Sequence, residues 1–366
     1  MIAPTARLRH IDILRSIAII LVVIGHVGAF PGLEIVERRF PIYCYHMALF
    51  FFVSGYLFRD MEWGTFGRFV WRKTKTLALP LIGWNIVYAG IVSFLSANAV
   101  TNYLPPVESI WTAHNLFVEP FLTGHQYYLN LATWFIGVLY VAMLVYGLFH
   151  LLTKRLPDWA LLFIYALLAG LALYSARFEF FASHYWLIPQ RACYALFFMQ
   201  LGRCFRRYIE PLLTPNRLCW ITLVVFLIWW ASLTCEWRYY VLVFMNFEGH
   251  VIRPLCAGAL GCLFWAMMSM LIARKTPANR LERLLGANTW SIMMHHLLVR
   301  FLITWLAVTL TSDAAQIDAF RNDFWYRSPA VDYWIYVAAM IVLPIIWQVL
   351  FDRLKSFIPL PEKWKK

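Results

Sequence analysis

The chain has 366 residues, of which 62% are hydrophobic and only 14% charged, and its mean hydropathy is +0.63. A soluble domain averages about 45–50% apolar and about 25% charged residues, so this composition excludes a water-soluble globule and indicates a polytopic membrane protein. The formal charge of +13 is spread along the chain rather than gathered into one segment, which argues for topogenic charge facing lipid and against a nucleic-acid groove.

Ten apolar stretches, at about 11–30, 41–58, 76–96, 128–152, 159–175, 188–203, 216–235, 251–273, 287–311 and 332–352, lie near the roughly 20 residues that a helix needs to cross a bilayer. They are apolar all round and too long for strands, so the expected fold is all-α: a transmembrane bundle of about ten helices that satisfies its backbone in lipid. Most of the 32 Lys and Arg fall in alternate connections, at 59–75, 154–155, 203–217, 274–283 and 353–366. By the positive-inside rule, these connections and both termini are expected to be cytoplasmic. The first stretch has a basic flank like a signal peptide, but its length and the missing A-x-A exit predict that it stays attached. No separate soluble domain is visible, so residues 1–366 read as one integral membrane domain, with its longest loops, about 97–127 and 312–331, on the outer side. Cys44, Cys193, Cys204, Cys219, Cys235, Cys256 and Cys262 are scattered without CxxC spacing and form neither a disulfide framework nor a zinc site. There is no HExxH pair, phosphate-cradling glycine loop or internal repeat, and no metal site is expected.

Function is then sought among the polar residues that the membrane should have excluded. In "IDILRSIAIILVVIGH", Arg15 and His26 are eleven residues apart. At 3.6 residues per turn they return to within about 20° of one another, roughly 16 Å apart along the axis. One helix face thus carries a cation near the cytoplasmic rim and an imidazole deep in the membrane. Asp12 lies one turn before Arg15, in place to orient it. The second helix runs the other way, so by rise alone His46 comes to a depth similar to that of His26 and is a candidate to face it. Each residue also has a plainer reading: His46 as an interhelical hydrogen-bond partner and Arg15 as a side chain snorkelling to the inner interface.

The run "IDILRSIAIILVVIGH" followed by "HMALFFFVSGYLFR" resembles the opening of the acyltransferase-3 family of ten-helix integral membrane acyltransferases. The family's R-x10-H pattern falls on Arg15 and His26, its F-F-x-x-S-G on Phe51, Phe52, Ser54 and Gly55, and its basic run after the second helix on Arg68, Arg72 and Lys73. "TWFIGVLY", with Trp134 and Phe135, and "GANTWSIMMHHLLV", with Asn288 and His296, resemble later motifs. Residues 1–366 show no counterpart of the fused periplasmic domain that some members carry, so acceptor recognition is expected to fall to the bundle and its outer loops.

The resemblance implies transfer of an acyl group, usually acetyl, from cytoplasmic acetyl-CoA to a hydroxyl of a cell-envelope polysaccharide or lipid-linked sugar, by a multi-pass enzyme of the inner membrane. Under it, His26 is the candidate general base and His46 an orienting or second proton-handling group. Arg68, Arg72 and Lys73, at i, i+4 and i+5, form a basic patch for the donor's phosphates, and Arg15 holds a phosphate or stabilises charge near the thioester. Ser54, Trp134, Asn288, His296 and Arg300 are placed along the substrate route, His296 and Arg300 sharing a face at i, i+4. The patch also reads as topogenic charge, and Gly55 and Trp134 as packing residues. A different class remains beside this one: a transporter or flippase for an anionic or lipid-linked glycan, with the same buried residues forming its path.

Overall fold

The computed structural model describes residues 8–28, 42–232, 242–247 and 250–357. Arg38, Arg39, Arg238, Cys235, the basic tail at 363–366 and the ends of the first, second and seventh predicted spans lie outside these.

Among the described residues the architecture is helical without strands. The principal helices are α1 (Arg9–Val27), α2 (His46–Tyr56), α3 (Trp63–Lys73), α4 (Leu79–Ala97), α5 (Trp134–Leu152), α6 (Asp158–Ser175) and α7 (His184–Cys204), followed by α8 (Pro215–Ser232), α9 (Ile252–Lys275), α10 (Arg280–Ala287), α11 (Thr289–Thr311), α12 (Ala314–Asn322) and α13 (Tyr333–Phe357). Every predicted span coincides with a helix, and among the described residues 8 helices are long and apolar enough to cross a membrane. The other two are short or polar for a physical reason. The apolar segment Ile42–Tyr56 is short within the described region, and α7 carries Gln190, Arg191, Gln200 and Arg203. All four of those side chains are buried because α7 is enclosed by α2, α5 and α6 rather than by lipid.

Close approach at the centre comes from small residues. A Cβ at Gly55 would collide with the Met199 carbonyl, and one at Gly202 with the Phe52 carbonyl, so α2 and α7 cross backbone to backbone. Gly55 is therefore a packing residue. The described cysteines are all unbridged.

Two elements depart from the sequence reading. The third span does not begin at 76: it continues an amphipathic arm, α3, through a π-helical turn at Thr74–Ala78 into α4. Pro80, lacking an N–H, sits just after that turn, where the helical ladder is already displaced. The connection 97–127 does not lie simply over the outer surface. Asn85, well inside α4, donates to the carbonyls of Asn115 (2.8 Å) and Leu116 (3.0 Å), Trp111 Nε1 donates to Ser93 Oγ (2.8 Å), and Phe121 meets Tyr140 of α5. The segment dips between α4 and α5, tolerated there because its carbonyls find side-chain donors.

The two ends of the bundle differ chemically. At one, Arg9 of α1 hydrogen-bonds Glu282 and the carbonyl of Ala273, Arg203 joins Asp158 (2.9 Å) to Asp60 (2.6 Å), and Arg207 also reaches Asp158. Arg68, Arg72, Lys73 and Lys75 project at this end as well. The opposite end holds His26, the 324–326 turn and an aromatic cluster.

Candidate functional site

At the charged end the arm α3 folds against the bundle and walls a half-open cavity of about 800 Å³. The structure brings Arg15, Ser54, Arg68, Arg72 and Lys73 together on its wall, with Arg59 and Lys75 added and Asp60 among the walls as an acidic group. Local chemistry explains the arm. The Glu62 N–H donates to Thr65 Oγ1 (3.2 Å) at the start of α3, Phe69 is the buried anchor, and Arg72 and Lys73 stack over its ring at 5.9 and 5.7 Å. Arg68 and Arg72 are exposed and Lys73 half-buried, so their charged heads remain available to an anion. Burial alone would raise the Asp60 carboxyl, but hydrogen bonding and charge from Arg203 bring it below its ordinary value. The Asp60 carboxylate is thereby engaged by α7.

His26 does not line this cavity; it belongs to a second cluster at the far end of α1. Its Nδ1 lies 2.9 Å from the Val22 carbonyl, and the same atom is 3.1 Å from Nε2 of His296. The imidazole in hydrogen-bond contact with His26 is thus His296 of α11. His46 is anchored to the Ile42 carbonyl (2.7 Å) and stands edge-on to Tyr43, whose hydroxyl donates to the Gly25 carbonyl (2.6 Å). His46 lies close enough to His26 to act on it electrostatically, while the hydrogen-bond contact to His26 is made by His296.

The histidines at 26, 46 and 296 share one local device: Nδ1 against the carbonyl four residues back. A carbonyl oxygen at that position requires Nδ1–H, so each neutral ring keeps its lone pair on Nε2. Nε2 of His26 has no hydrogen-bond partner among the described residues, and the ring is only half-buried. Trp325 covers one face of that ring, parallel to within 10° at 6.0 Å.

Arg300 explains how Trp325 gets there. Its guanidinium donates to the carbonyls of Phe324 (2.6 Å), Trp325 and Tyr326 (3.2 Å), and hooks this turn onto α11. Arg300 is 1% exposed, so its charge is engaged by backbone dipoles rather than displayed in an open path. A ring sequence continues outward, Trp325 to Phe324 (4.9 Å) to Tyr128 (5.2 Å). Tyr128 opens the 3-10 segment Tyr128–Thr133, which packs on α11 and carries Asn130 and Thr133. Both residues are buried, and the Asn130 amide atoms and the Thr133 hydroxyl lack hydrogen-bond partners among the described residues.

The other predicted residues lie outside the His26 cluster. Asp12 is buried where α10 crosses α1, packed against Gly286. Asn288 sits at the α10–α11 junction and donates to the Leu284 carbonyl (2.7 Å), a turn-forming role well below His296 on α11. Trp134 lies under the Arg191 guanidinium at 5.1 Å and abuts Gly124, whose lack of a Cβ makes room for it and whose φ of 70° also favours glycine. Sequence reasoning missed Trp325, Asn130 and Thr133. Polar residues in a segment flanked by apolar stretches were the only signal for the latter two, and nothing local marked Trp325.

These features define a multi-pass membrane protein with a cation-lined cavity at one end of its first helix and an accessible imidazole toward the other. A family model described as an acyltransferase domain matches residues 8–353, and the chain belongs to the acyltransferase-3 family. No curated protein and no solved structure matches the chain.

Proposed function

We propose that this protein, with its charged end in the cytoplasm of a cell with an inner membrane, transfers an acetyl group from acetyl-CoA to a hydroxyl of an envelope polysaccharide or lipid-linked sugar. The observation that carries the reading is the division of labour along α1: Arg15 on the wall of a cationic cavity, and His26 with its free Nε2 roughly 16 Å further along the same helix. The cavity suits a polyphosphate donor, since Arg68, Arg72, Lys73 and Arg15 supply both point charges and forked donors. The donor's long pantetheine arm then runs into the bundle toward His26. Asn130 and Thr133 offer hydrogen bonds to the amides of that arm or to an acceptor hydroxyl.

In the reaction, Nε2 of His26 takes the proton of the acceptor hydroxyl as its oxygen attacks the thioester carbonyl carbon. The tetrahedral intermediate collapses with cleavage of the C–S bond, and His26 returns the proton to sulfur, releasing the thiol and the new ester. A positioned general base contributes about 10²–10⁴-fold. Substituting His26→Ala is therefore expected to lower transfer by at least that order while the protein still folds. Mass spectrometry of surface glycans from cells with the intact protein, with the variant and without the protein is the test. Loss of the acetyl increment in both defective strains supports the reading. A glycan exported in lower amount but unchanged in modification would sink it in favour of transport.

A further inference from the structure

We propose that His296 is a positioning residue for His26: it accepts the Nδ1–H of His26 and so holds the ring with Nε2 as its basic atom. Two backbone carbonyls fix where the protons sit. Ile292 O lies 2.7 Å from Nδ1 of His296, so that nitrogen carries a proton and donates, which leaves Nε2 of the neutral ring as a lone pair. Val22 O lies 2.9 Å from Nδ1 of His26, so that nitrogen also carries a proton. The two assignments are independent, and together they leave the single Nδ1–H of His26 shared, as a three-centre hydrogen bond, between Val22 O and the lone pair of His296 Nε2 at 3.1 Å. The opposite assignment would set a lone pair against a carbonyl lone pair at both anchors.

The pair is built into the core rather than left to chance. His296 is 0% exposed on α11, so its ring has little room to turn. The rings meet at 4.9 Å between centroids with a 47° tilt, and Trp325 lies parallel to His26 at 6.0 Å. His26 is thus fixed by Val22 from its own helix, by His296 from α11 and by Trp325 from the following turn. When Nε2 takes a proton, the positive charge spreads to Nδ1–H, and the hydrogen bond it shares between His296 and Val22 becomes charge-assisted. A neutral imidazole here orients the base and steadies its charged form without placing a carboxylate in the membrane. His296 itself touches no reacting atom in this scheme.

The kinetic part of the proposal rests on the acyl-transfer reading; the proton placement does not. The spectroscopic experiment uses the full chain in lipid nanodiscs with 15N-labelled histidine, the His26 and His296 signals being assigned by difference against single substitutions. Nδ1-protonated tautomers at both positions, with a through-hydrogen-bond 15N–15N coupling between them, are expected. An Nε2-protonated tautomer at either position overturns the proposal whether or not the protein transfers acyl groups. The kinetic experiment compares His296→Ala with His296→Gln, whose side-chain oxygen accepts the same hydrogen. His296→Ala is expected to lower kcat by roughly 10–100-fold, the scale of loss when the partner that orients a metal-bound imidazole is removed. KM for acetyl-CoA should stay within about twofold, since the pair lies outside the donor cavity, and His296→Gln should recover most of kcat. An unchanged kcat in His296→Ala, or a glutamine variant no better than alanine, overturns the positioning role while acyl transfer stands. If the alanine variant does not fold, His296→Leu takes its place in the same comparison with glutamine, and the wild-type tautomers decide independently. Tautomers as expected in a protein that transfers no acyl group would uphold the pair and remove the acyl-transfer reading.

Discussion

A single buried arginine shows how a side chain's chemistry and its role separate. The sequence placed Arg300 one turn from His296 and suggested a substrate path; the structure gives it three backbone carbonyls and makes it the hook of the 324–326 turn. Hydrogen bonds to charged groups are worth about 1.5–3 kcal/mol each, though relaxation recovers part of any loss. We expect Arg300→Met to destabilise the protein by roughly 2–4 kcal/mol and to free Trp325 from His26. Thermal unfolding in detergent measures the first. Acrylamide quenching of tryptophan fluorescence, with Trp325→Phe as the subtraction control, measures the second. An Arg300→Met protein with unchanged stability and quenching would return Arg300 to the substrate path. The contrast with Arg15 is instructive: both are arginines in apolar helices, but of the two Arg15 lines the cationic cavity.

At the scale of the element, the arm α3 is where the donor reading is most exposed to test. Its 11 residues are amphipathic, anchored by Phe69 and joined to the membrane helix through a π turn, and its cations are largely solvated. Solvated pairs contribute about 0.2–1 kcal/mol each. Single substitutions Arg68→Ala, Arg72→Ala and Lys73→Ala should therefore raise KM for acetyl-CoA by roughly two- to fivefold, with kcat little changed. Adding salt should weaken donor binding in the wild type and less so in the triple variant. A drop in kcat at constant KM would instead place the arm in the chemistry. The i, i+4, i+5 spacing of the basic patch was legible in the sequence because it is local. The arm's fold over a cavity was not, because it depends on Phe69 finding its place in the bundle. The same limit applied to 97–127: its composition fits a loop, but only the deep donors such as Asn85 show that it dips inward.

For the whole molecule, the charged end is tied by ion pairs that join distant helices: Arg9 to Glu282, and Arg203 to Asp60 and Asp158. The Glu282 carboxyl is held below its ordinary value by the hydrogen bond from Arg9, and Asp60 by Arg203 against the cost of its burial. A carboxylate lowered in the folded state adds stability above its unfolded pKa, about 3.9 for Asp and 4.3 for Glu. That stability is lost as pH falls through the lower folded values. The melting temperature should therefore be flat from pH 7 to about 4.5 and fall below about 4. Asp60→Asn should melt lower at pH 7 and show a shallower acid slope. The effect is modest, because the Asp60 side chain is 62% exposed and solvent screens the pair. An acid profile unaltered by Asp60→Asn would remove this pair from the account. Composition and period settled the membrane class, the helical fold and the shared face of Arg15 and His26, because hydropathy and the 3.6-residue turn act over one helix at a time. The tertiary structure alone decided that His296 makes the hydrogen-bond contact to His26, that Arg300 hooks the turn bearing Trp325, and that Gly55 is a crossing point. Those pairings depend on how helices far apart in the chain rotate and pack against one another, and no local spacing encodes that.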